Sequence, residues 1–262
     1  MDPGCPAGLR WRDRQRDVDG NRGNPGLGGK NPLILITDAH VSKARGNAPA
    51  FFRLLDALAR YDDDLIFLGD IFDLWVALPR YENELHRRFL SWCRRQKKRR
   101  AIGFLEGNRE FFVTASHTAA FSWCVSGPWH QDRYGNLFCH GDQINRLDFR
   151  YLSFRRLSKN RWSRLLLQAL PLGPALAEHL KRRLKHTNPT FRRRLPIDQI
   201  ERFAEARFRE GARTVFAGHF HRSHTYYSPG GGQMHALPAW MTTGCVSRHD
   251  PAARTIETLV PG

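Results

Sequence analysis

Short apolar runs, each followed by polar residues, recur along the chain from residue 33 onward. They cover residues 33–36, 65–68, 102–105, 137–139 and 214–217. Apolar runs of this length predict buried strands. Between the first of them, residues 50–60 and 82–95 carry apolar side chains at helical spacing. This alternation of strand and helix predicts an α/β fold whose early strands pair in parallel.

Three further segments depart from this alternation. Residues 1–30 are dense in Gly, Pro and charge and lack apolar periodicity, which predicts a disordered tail. Residues 143–199 contain no strand-like run, and their helical apolar spacing predicts a helical insertion within one domain of residues 31–262. Residues 234–260 return to short runs with Gly and Pro breaks, which predict antiparallel strands that close the sheet.

The charge of the chain is strongly positive and unevenly spread. Among 262 residues, 42 are Lys or Arg and 25 are Asp or Glu, so the formal net charge is +17. The basic residues are mostly Arg, whose guanidinium pairs with phosphate through two parallel hydrogen bonds. This composition predicts a polyanionic partner, and Arg enrichment without such a partner is the alternative. Residues 143–199 hold 14 basic residues against three acidic ones, which places most of the excess in the predicted insertion.

Cysteine usage and hydropathy restrict the class of protein. Five cysteines at wide spacing, without a CxxC pair, indicate neither a disulfide framework nor a zinc ribbon and favour a reducing, cytosolic compartment. The first 30 residues lack an apolar signal core, and no run of 18 apolar residues occurs. We therefore expect a protein that is not secreted by a standard signal and does not span a membrane.

Residues able to bind metal ions follow all five predicted strands. In strand order they are Asp38 and His40, Asp70, Asn108, His140, and His219 with His221. Because the carboxyl ends of strands in open α/β sheets meet at one crevice, we expect these side chains to converge. Such a set can hold two divalent ions that activate water for phosphoryl displacement. Oxygen and imidazole donors without thiolate suit manganese, with zinc and iron also compatible, and strand alternation turns Cys139 into the core.

The order and spacing of these residues resemble the motifs of the calcineurin-like metallophosphoesterases. The motifs are Asp38-x-His40, Gly69-Asp70-x-x-Asp73, Gly107-Asn108-Arg109-Glu110, His140-Gly141-Asp142 and Gly218-His219-Phe220-His221. The resemblance covers residues 33–260 and implies a four-layer α/β sandwich, in which two mixed β-sheets are flanked by helices and the insertion forms a helical lid. For the metal ions it implies a first site of Asp38, His40 and His221, a second site of Asn108, His140 and His219, and Asp70 as the bridge. It further implies catalytic roles for Asn108, Arg109 and His140.

Within that family the chain is similar to the UDP-2,3-diacylglucosamine hydrolases of lipid A synthesis. The similarity lies in Asn108-Arg109 and in the insertion pattern Tyr151-x-x-Phe154-Arg155, followed by Trp162 and Leu170-Pro171. It implies manganese-dependent cleavage of UDP-2,3-diacylglucosamine to UMP and 2,3-diacylglucosamine 1-phosphate. It also implies peripheral association with an anionic membrane surface, at the cytoplasmic face of the inner membrane. No nucleic-acid partner is expected.

Arg109 bears on the type of bond that is cleaved. An Arg stays protonated at any working pH and does not readily donate a proton to an alkoxide leaving group. A phosphate leaving group needs charge neutralisation more than a proton. Arg109 therefore favours pyrophosphate cleavage over monoester hydrolysis, and the alternative is a solvated loop Arg that makes one surface ion pair.

The predicted insertion combines basic and apolar residues. Besides Arg109, the residues expected to contact the substrate are Arg150, Tyr151, Arg155, Arg156, Arg161 and Trp162. A groove for acyl chains would be lined by Trp162, Leu165, Leu166 and Leu170, although such a helical stripe is also typical of a core-facing helix. Clustered Arg beside apolar side chains predicts docking on an anionic membrane.

Several positions depart from the pattern of the lipid A enzymes and leave other functions open. These are Glu110, Phe220, residues 143–148 and residues 237–240. None is a predicted metal ligand, so the departures concern the substrate more than the chemistry. The alternatives are a phosphodiesterase or phosphatase for another nucleotide or phospholipid, a basic nucleic-acid-binding protein or nuclease, and a non-catalytic scaffold. The aromatic residues of the insertion follow a helical stripe rather than interleaving with Arg, which argues against nucleic-acid binding.

Overall fold

The computed structural model describes residues 31–144, 149–169, 173 and 195–260. The predicted tail of residues 1–30, Leu170-Pro171 and most of the second half of the predicted insertion lie outside the described residues. The strands are β1 (Leu33–Ile36), β2 (Asp64–Phe67), β3 (Trp75–Val76), β4 (Ile102–Leu105), β5 (Glu110–Phe111), β6 (Trp123–Val125), β7 (His130–Gln131), β8 (Asn136–Cys139), β9 (Thr214–Ala217), β10 (His224–Tyr227), β11 (Gln233–Ala236), β12 (Val246–Asp250) and β13 (Thr255–Leu259). The α-helices are α1 (Ala48–Leu58), α2 (Glu84–Gln96), α3 (Val113–His117), α4 (Phe149–Ser158), α5 (Arg161–Ala169), α6 (Ile197–Arg209) and α7 (Trp240–Thr243).

The strands form two mixed sheets and a short parallel ribbon of β3 and β5. The first sheet has the order β13-β12-β1-β2-β4-β6, and the second has the order β10-β11-β9-β8-β7. Strands β1, β2, β4 and β6 run parallel, which confirms the predicted parallel pairing of the early strands. In the second sheet β8, β9 and β11 run parallel, with an antiparallel strand at each edge.

One prediction about the carboxyl-terminal strands is wrong in part. Strands β12 and β13 are antiparallel additions to the first sheet, as expected. Strand β11 instead lies in the second sheet and pairs in parallel with β9. The reason is packing: Met234 and Ala236 on β11 are buried in the same apolar cluster as Val215 and Ala217 on β9.

Alternation along the central strands builds the four layers. On β1, Leu33 and Leu35 face the second sheet and pack with Phe138 of β8 and Phe216 of β9. The intervening residue Ile34, like Ile36, points to the other face and packs among residues of helices α1 and α2. Helix α6 covers the outer face of the second sheet. Because successive strand residues point to opposite faces, the first sheet packs against helices on one face and against the second sheet on the other. The predicted α/β sandwich is confirmed.

Helices α1 and α2 confirm the helices predicted for residues 50–60 and 82–95. In α1 the buried residues include Phe51, Leu54, Leu55 and Leu58, the spacing that lines one face of a helix. Helix α2 begins at a capping box, in which the Asn83 side chain accepts backbone hydrogen bonds at the first turn. Both helices bury their apolar face on the first sheet.

The described part of the predicted insertion contains helices α4 and α5, which lie near the β3–β5 ribbon. The Tyr81 hydroxyl donates to the Leu167 carbonyl at 3.0 Å, and Leu167 packs against a cluster that includes Phe111 and Phe112. None of the described helices combines the length and the hydropathy that crossing a bilayer requires.

Candidate metal centre

Three of the predicted ligands, Asp38, His40 and His221, meet where β1 and β9 end. The Nε2 atom of His221 lies 3.1 Å from Oδ1 of Asp38, and Nε2 of His40 lies 3.7 Å from the same oxygen. Their donor atoms all lie within 4.8 Å of one another. This is the group predicted for the first ion, and the geometry is compatible with that role.

The remaining predicted ligands lie next to it. Asp70 contacts both groups, because its Oδ2 is 3.7 Å from Nε2 of His40 and its Oδ1 is 3.5 Å from Nε2 of His140. The same His140 nitrogen is 3.1 Å from Oδ1 of Asn108. The ring of His219 lies 5.2 Å from the His140 ring, centroid to centroid. The structure thus brings all seven predicted ligands together and places Asp70 between the two groups; their roles as ligands stay a prediction.

Five of these seven residues have left-handed backbone conformations. The φ angles are +51° at Asp38, +43° at His40, +54° at Asp70, +70° at His219 and +58° at His221. Residues other than glycine seldom adopt such angles, and clusters of them occur where the surrounding structure imposes them at functional sites. Here the imposing contacts include the Asp38 and His40 amides, which donate to the carbonyls of Gly69 and Asp70 at 3.1 and 2.9 Å.

The carboxylate of Asp38 is oriented by the protein through one oxygen only. Its Oδ2 accepts hydrogen bonds from the Thr37 hydroxyl and the His219 amide, both at 2.7 Å. Its Oδ1 is buried, has no hydrogen-bond partner among the described residues and faces His221. A buried, unsatisfied carboxylate oxygen is costly, so this arrangement fits coordination of a cation.

The imidazoles of His140 and His219 are also arranged to coordinate. Nδ1 of His140 is 2.7 Å from the Leu68 carbonyl, which can only accept, so Nδ1 carries a proton and Nε2 is the ring nitrogen that faces Asp70 and Asn108. Burial, with His140 nearby, lowers the pKa of His219 to about 4. That ring is therefore neutral at pH 7, as a ligand must be.

Charges within the cluster shift its other pKa values. Burial raises the pKa of Asp38, but the imidazoles of His221 and His40 outweigh it and hold that pKa well below the ordinary value. Burial lowers the pKa of His140, but the carboxylates of Asp70 and Asp38 outweigh it and raise that pKa. Asp38 is thus ionised at pH 7 and gives the cluster a negative charge that favours a divalent cation.

Glu110 is a site residue that sequence reasoning gave no role. Its Oε2 accepts hydrogen bonds from the amides of Asp70 and Gly107 at 2.8 and 2.9 Å, and its Oε1 accepts from the Ile71 amide at 2.7 Å. Burial, with the Asp70 charge, raises the pKa of Glu110 to about 7. A signal was present in the sequence, since a carboxylate directly before the apolar residues 111–113 must find donors inside the fold.

Arg109 is buried, with 7% of its surface exposed. Its amide donates to Oδ1 of Asp70 at 2.8 Å, so its backbone contacts the carboxylate predicted to bridge the ions. This burial argues against the alternative of a solvated surface Arg. Its catalytic role, like those of Asn108 and His140, stays a prediction.

The predicted substrate-binding residues of the insertion fall into three groups. Arg156, Arg161 and Trp162 are exposed to solvent. Arg155 is buried, and its guanidinium donates to the Asp142 carboxylate at 2.7 Å, so the structure gives it a contact within the protein. The side chains of Arg150 and Tyr151 lie outside the described residues.

The apolar stripe of helix α5 is not a core-facing stripe. On α5, Trp162, Leu165 and Leu166 each expose between 55% and 66% of their surface, and Leu157 of the preceding helix α4 exposes 67%. No residue of α5 is fully buried. Among the side chains predicted to line an acyl groove, the three that the structure describes are therefore available to a ligand.

Comparisons with known proteins identify the family of the chain. The family model described as Calcineurin-like phosphoesterase matches residues 32–223. The chain is 27% identical over 241 residues to a protein of Shewanella loihica named UDP-2,3-diacylglucosamine hydrolase, a match that covers 87% of this chain and 97% of the relative. A protein of the same name from Pseudomonas fluorescens is 30% identical over 205 residues, covering 72% and 78%. Another, from Pseudomonas putida, is 30% identical over 201 residues, covering 72% and 82%.

Proposed function

Because the chain belongs to the calcineurin-like phosphoesterase family and is a hydrolase, we propose that it is a two-metal pyrophosphate hydrolase acting on UDP-2,3-diacylglucosamine. Water would add across the P–O–P bridge: one phosphorus gains the water oxygen, and the bridging oxygen leaves with the other phosphate. The products are UMP and 2,3-diacylglucosamine 1-phosphate. The names of the relatives support this substrate.

The observation that carries the proposal is the position of the insertion beside the ligand cluster. Lys159, directly after α4, donates to the carbonyl of Gly107, the residue before Asn108, at 2.7 Å. The exposed apolar residues Leu157 and Trp162 lie within three positions of that contact. A phosphate-cleaving site next to an unburied apolar surface suits a substrate with a pyrophosphate at one end and acyl chains at the other.

The cofactors we propose are two divalent cations, most favourably Mn²⁺, because the donors are carboxylate, amide and imidazole groups without thiolate. Asp38, His40 and His221 would hold one ion, Asn108, His140 and His219 the other, and Asp70 would contact both. When bound, the ions supply an activated water and neutralise charge on the phosphoryl oxygens.

The protein's own groups would orient the substrate and stabilise the leaving group. Arg109 carries a permanent positive charge within the ligand loop, and such a charge stabilises a departing phosphate without giving up a proton. Glu110 holds the amide of Asp70, and Leu68 holds Nδ1 of His140. These contacts fix the donor atoms before the substrate arrives, which lowers the reorganisation that the reaction requires.

We further propose that the insertion docks on an anionic membrane at the cytoplasmic face of the inner membrane. Arg156 and Arg161 are exposed beside the apolar residues Leu157, Trp162 and Leu166. Each Arg near an anionic surface contributes about 1 kcal/mol of attraction, and the apolar side chains add burial in the interface. A peripheral enzyme of this kind reaches a membrane-resident substrate without an anchor.

The proposal is tested with Mn²⁺-loaded protein and UDP-2,3-diacylglucosamine in detergent micelles, followed by ³¹P NMR. We expect the pyrophosphate signals to be replaced by those of UMP and a sugar 1-phosphate. The Asp70→Ala variant should be inactive, whereas Asp56→Ala, which removes an exposed carboxylate on α1, should match the wild type. Hydrolysis of bis(p-nitrophenyl) phosphate without turnover of the lipid would keep the metal centre and contradict the substrate. Failure on both would contradict the metal centre as well.

A further inference from the structure

Arg155 makes the first set of contacts between the insertion and the ligand cluster. Its Nη1 donates to the Asp142 carboxylate at 2.7 Å and to the Gly107 carbonyl at 3.2 Å. Its Nη2 donates to the carbonyls of Glu106 and Ser126 at 3.3 and 3.4 Å. One guanidinium thus joins the loop after β4, which carries Asn108, to the loop after β8, which carries His140.

Lys159 makes a second set of contacts one helical turn later. Its Nζ donates to the Gly107 carbonyl at 2.7 Å and lies 3.4 Å from Oε2 of Glu106. The other oxygen of Glu106 accepts from the Thr114 amide at 2.8 Å. Because residues four apart lie on the same face of a helix, Arg155 and Lys159 reach the same stretch of backbone together.

The charges of this network balance. Two cations, Arg155 and Lys159, face two carboxylates, Glu106 and Asp142, and both carboxylates are buried. Hydrophobic residues of similar volume often replace a buried ion pair at no loss of stability. The network is therefore poorly explained by stability alone, whereas both of its cations donate to one carbonyl, that of Gly107.

That peptide group joins Gly107 to Asn108. Arg155 and Lys159 both donate to the oxygen of this peptide group. The orientation of the peptide group sets where the Asn108 side chain points. On the other side, Asp142 lies two residues after His140 and is drawn toward the same guanidinium. We propose that Arg155 and Lys159 are positioning residues that orient Asn108 and His140 toward the second metal ion. This inference rests on the metal centre of the proposed function but not on its lipid substrate.

The test compares Arg155→Met and Lys159→Met with Arg99→Met, which removes a guanidinium from an exposed ion pair with Asp62. Binding of Mn²⁺ is measured by calorimetry, and hydrolysis of bis(p-nitrophenyl) phosphate gives kcat and KM. Loss of a group that orients a metal ligand typically costs 10–100-fold in metal affinity or activity. We expect a loss of about this size in affinity for one ion and in kcat, with the other ion and KM unchanged. The control should behave as the wild type.

A second variant keeps the test decisive if a Met variant does not fold. Asp142→Asn keeps the shape of the side chain and weakens its hold on Arg155, so it should lower affinity for the same ion. Two ions bound with wild-type affinity and an unchanged kcat in all variants would overturn the positioning role, even if melting temperatures fell. A wild-type protein that binds fewer than two Mn²⁺ ions would instead refute the metal centre, and this inference with it.

Discussion

Replacement of Gly107 by Ala should damage the ligand cluster through one added methyl group. A Cβ at this position would lie 2.6 Å from the Asp70 amide nitrogen and 2.9 Å from Oε2 of Glu110, and it would also collide with Oδ1 of Asp70. Ordinary van der Waals contact begins at 3.4 Å. The backbone segments at positions 107 and 70 must therefore separate by roughly 0.8 Å, because their hydrogen-bonded neighbours leave little room elsewhere.

The size of the effect follows from that displacement. Overpacking of this kind costs about 1–3 kcal/mol. For a domain of this size each kcal/mol lowers Tm by about 2–4 °C, so we expect a fall of roughly 2–12 °C. A displacement of about 1 Å at a reacting group can cost about 100-fold in rate, and Asp70 is the carboxylate placed between both ligand groups. The larger effect should therefore appear in kcat and Mn²⁺ affinity.

Differential scanning calorimetry, Mn²⁺ titration and hydrolysis of bis(p-nitrophenyl) phosphate measure these quantities. The matched control is Gly127→Ala, where the nearest atom to an added Cβ is the Trp129 carbonyl oxygen at 3.9 Å. The control should keep the wild-type Tm and activity. A Gly107→Ala variant with wild-type kcat and metal affinity would refute the argument that close approach of these loops positions Asp70.

Three further predictions concern stability, reactivity and membrane contact. Burial, outweighing the Glu82 charge, lowers the pKa of His86 to about 4. Between pH 6.5 and 4 the His86 imidazole then binds a proton only in the unfolded chain. The free energy of unfolding therefore falls as the pH drops, by about 2 kcal/mol at pH 5. Urea unfolding at pH 7 and pH 5 should show this loss in the wild type and a smaller one in His86→Gln. Burial raises the pKa of Cys124 to about 12 and also raises that of Cys139, so mass spectrometry should find both thiols labelled by iodoacetamide in urea but not in the folded protein. The double change Trp162→Ser with Leu166→Ser should weaken sedimentation with anionic vesicles and leave hydrolysis of the small diester unchanged; unaltered vesicle binding would contradict docking through α5.

The strands and the ligand cluster could be predicted from the sequence because each leaves a local pattern. Ile34 and Leu35 belong to an uninterrupted apolar run, which a strand buried on both faces requires. Asp70 and His140 each follow such a run closely, and the carboxyl ends of parallel strands lie at one edge of a sheet. Asp70 follows β2 of the first sheet and His140 follows β8 of the second, so the position of each residue at a carboxyl edge followed from its strand, whereas their meeting depends on how the two sheets pack.

The division into two sheets and the network around the cluster left no such pattern. Strand β11 reads like its neighbours in the sequence, and its pairing with β9 depends on the long-range packing of Met234. Arg155 and Lys159 lie among many basic residues, so their spacing did not distinguish them from exposed neighbours such as Arg156. Only the fold shows that these two reach the Gly107 carbonyl.

The left-handed residues show why the candidate site depends on the whole sandwich rather than on any one motif. A left-handed conformation costs a residue other than glycine about 1–2 kcal/mol, and five predicted ligands adopt it. The contacts that hold three of them are long-range: the amides of Asp38 and His40 donate to the loop after β2, and the His219 amide reaches Asp38 from the second sheet. Both sheets must be assembled before these residues can hold their conformations. A divalent ion would therefore bind only the folded chain, and its binding free energy would add to the stability of that fold.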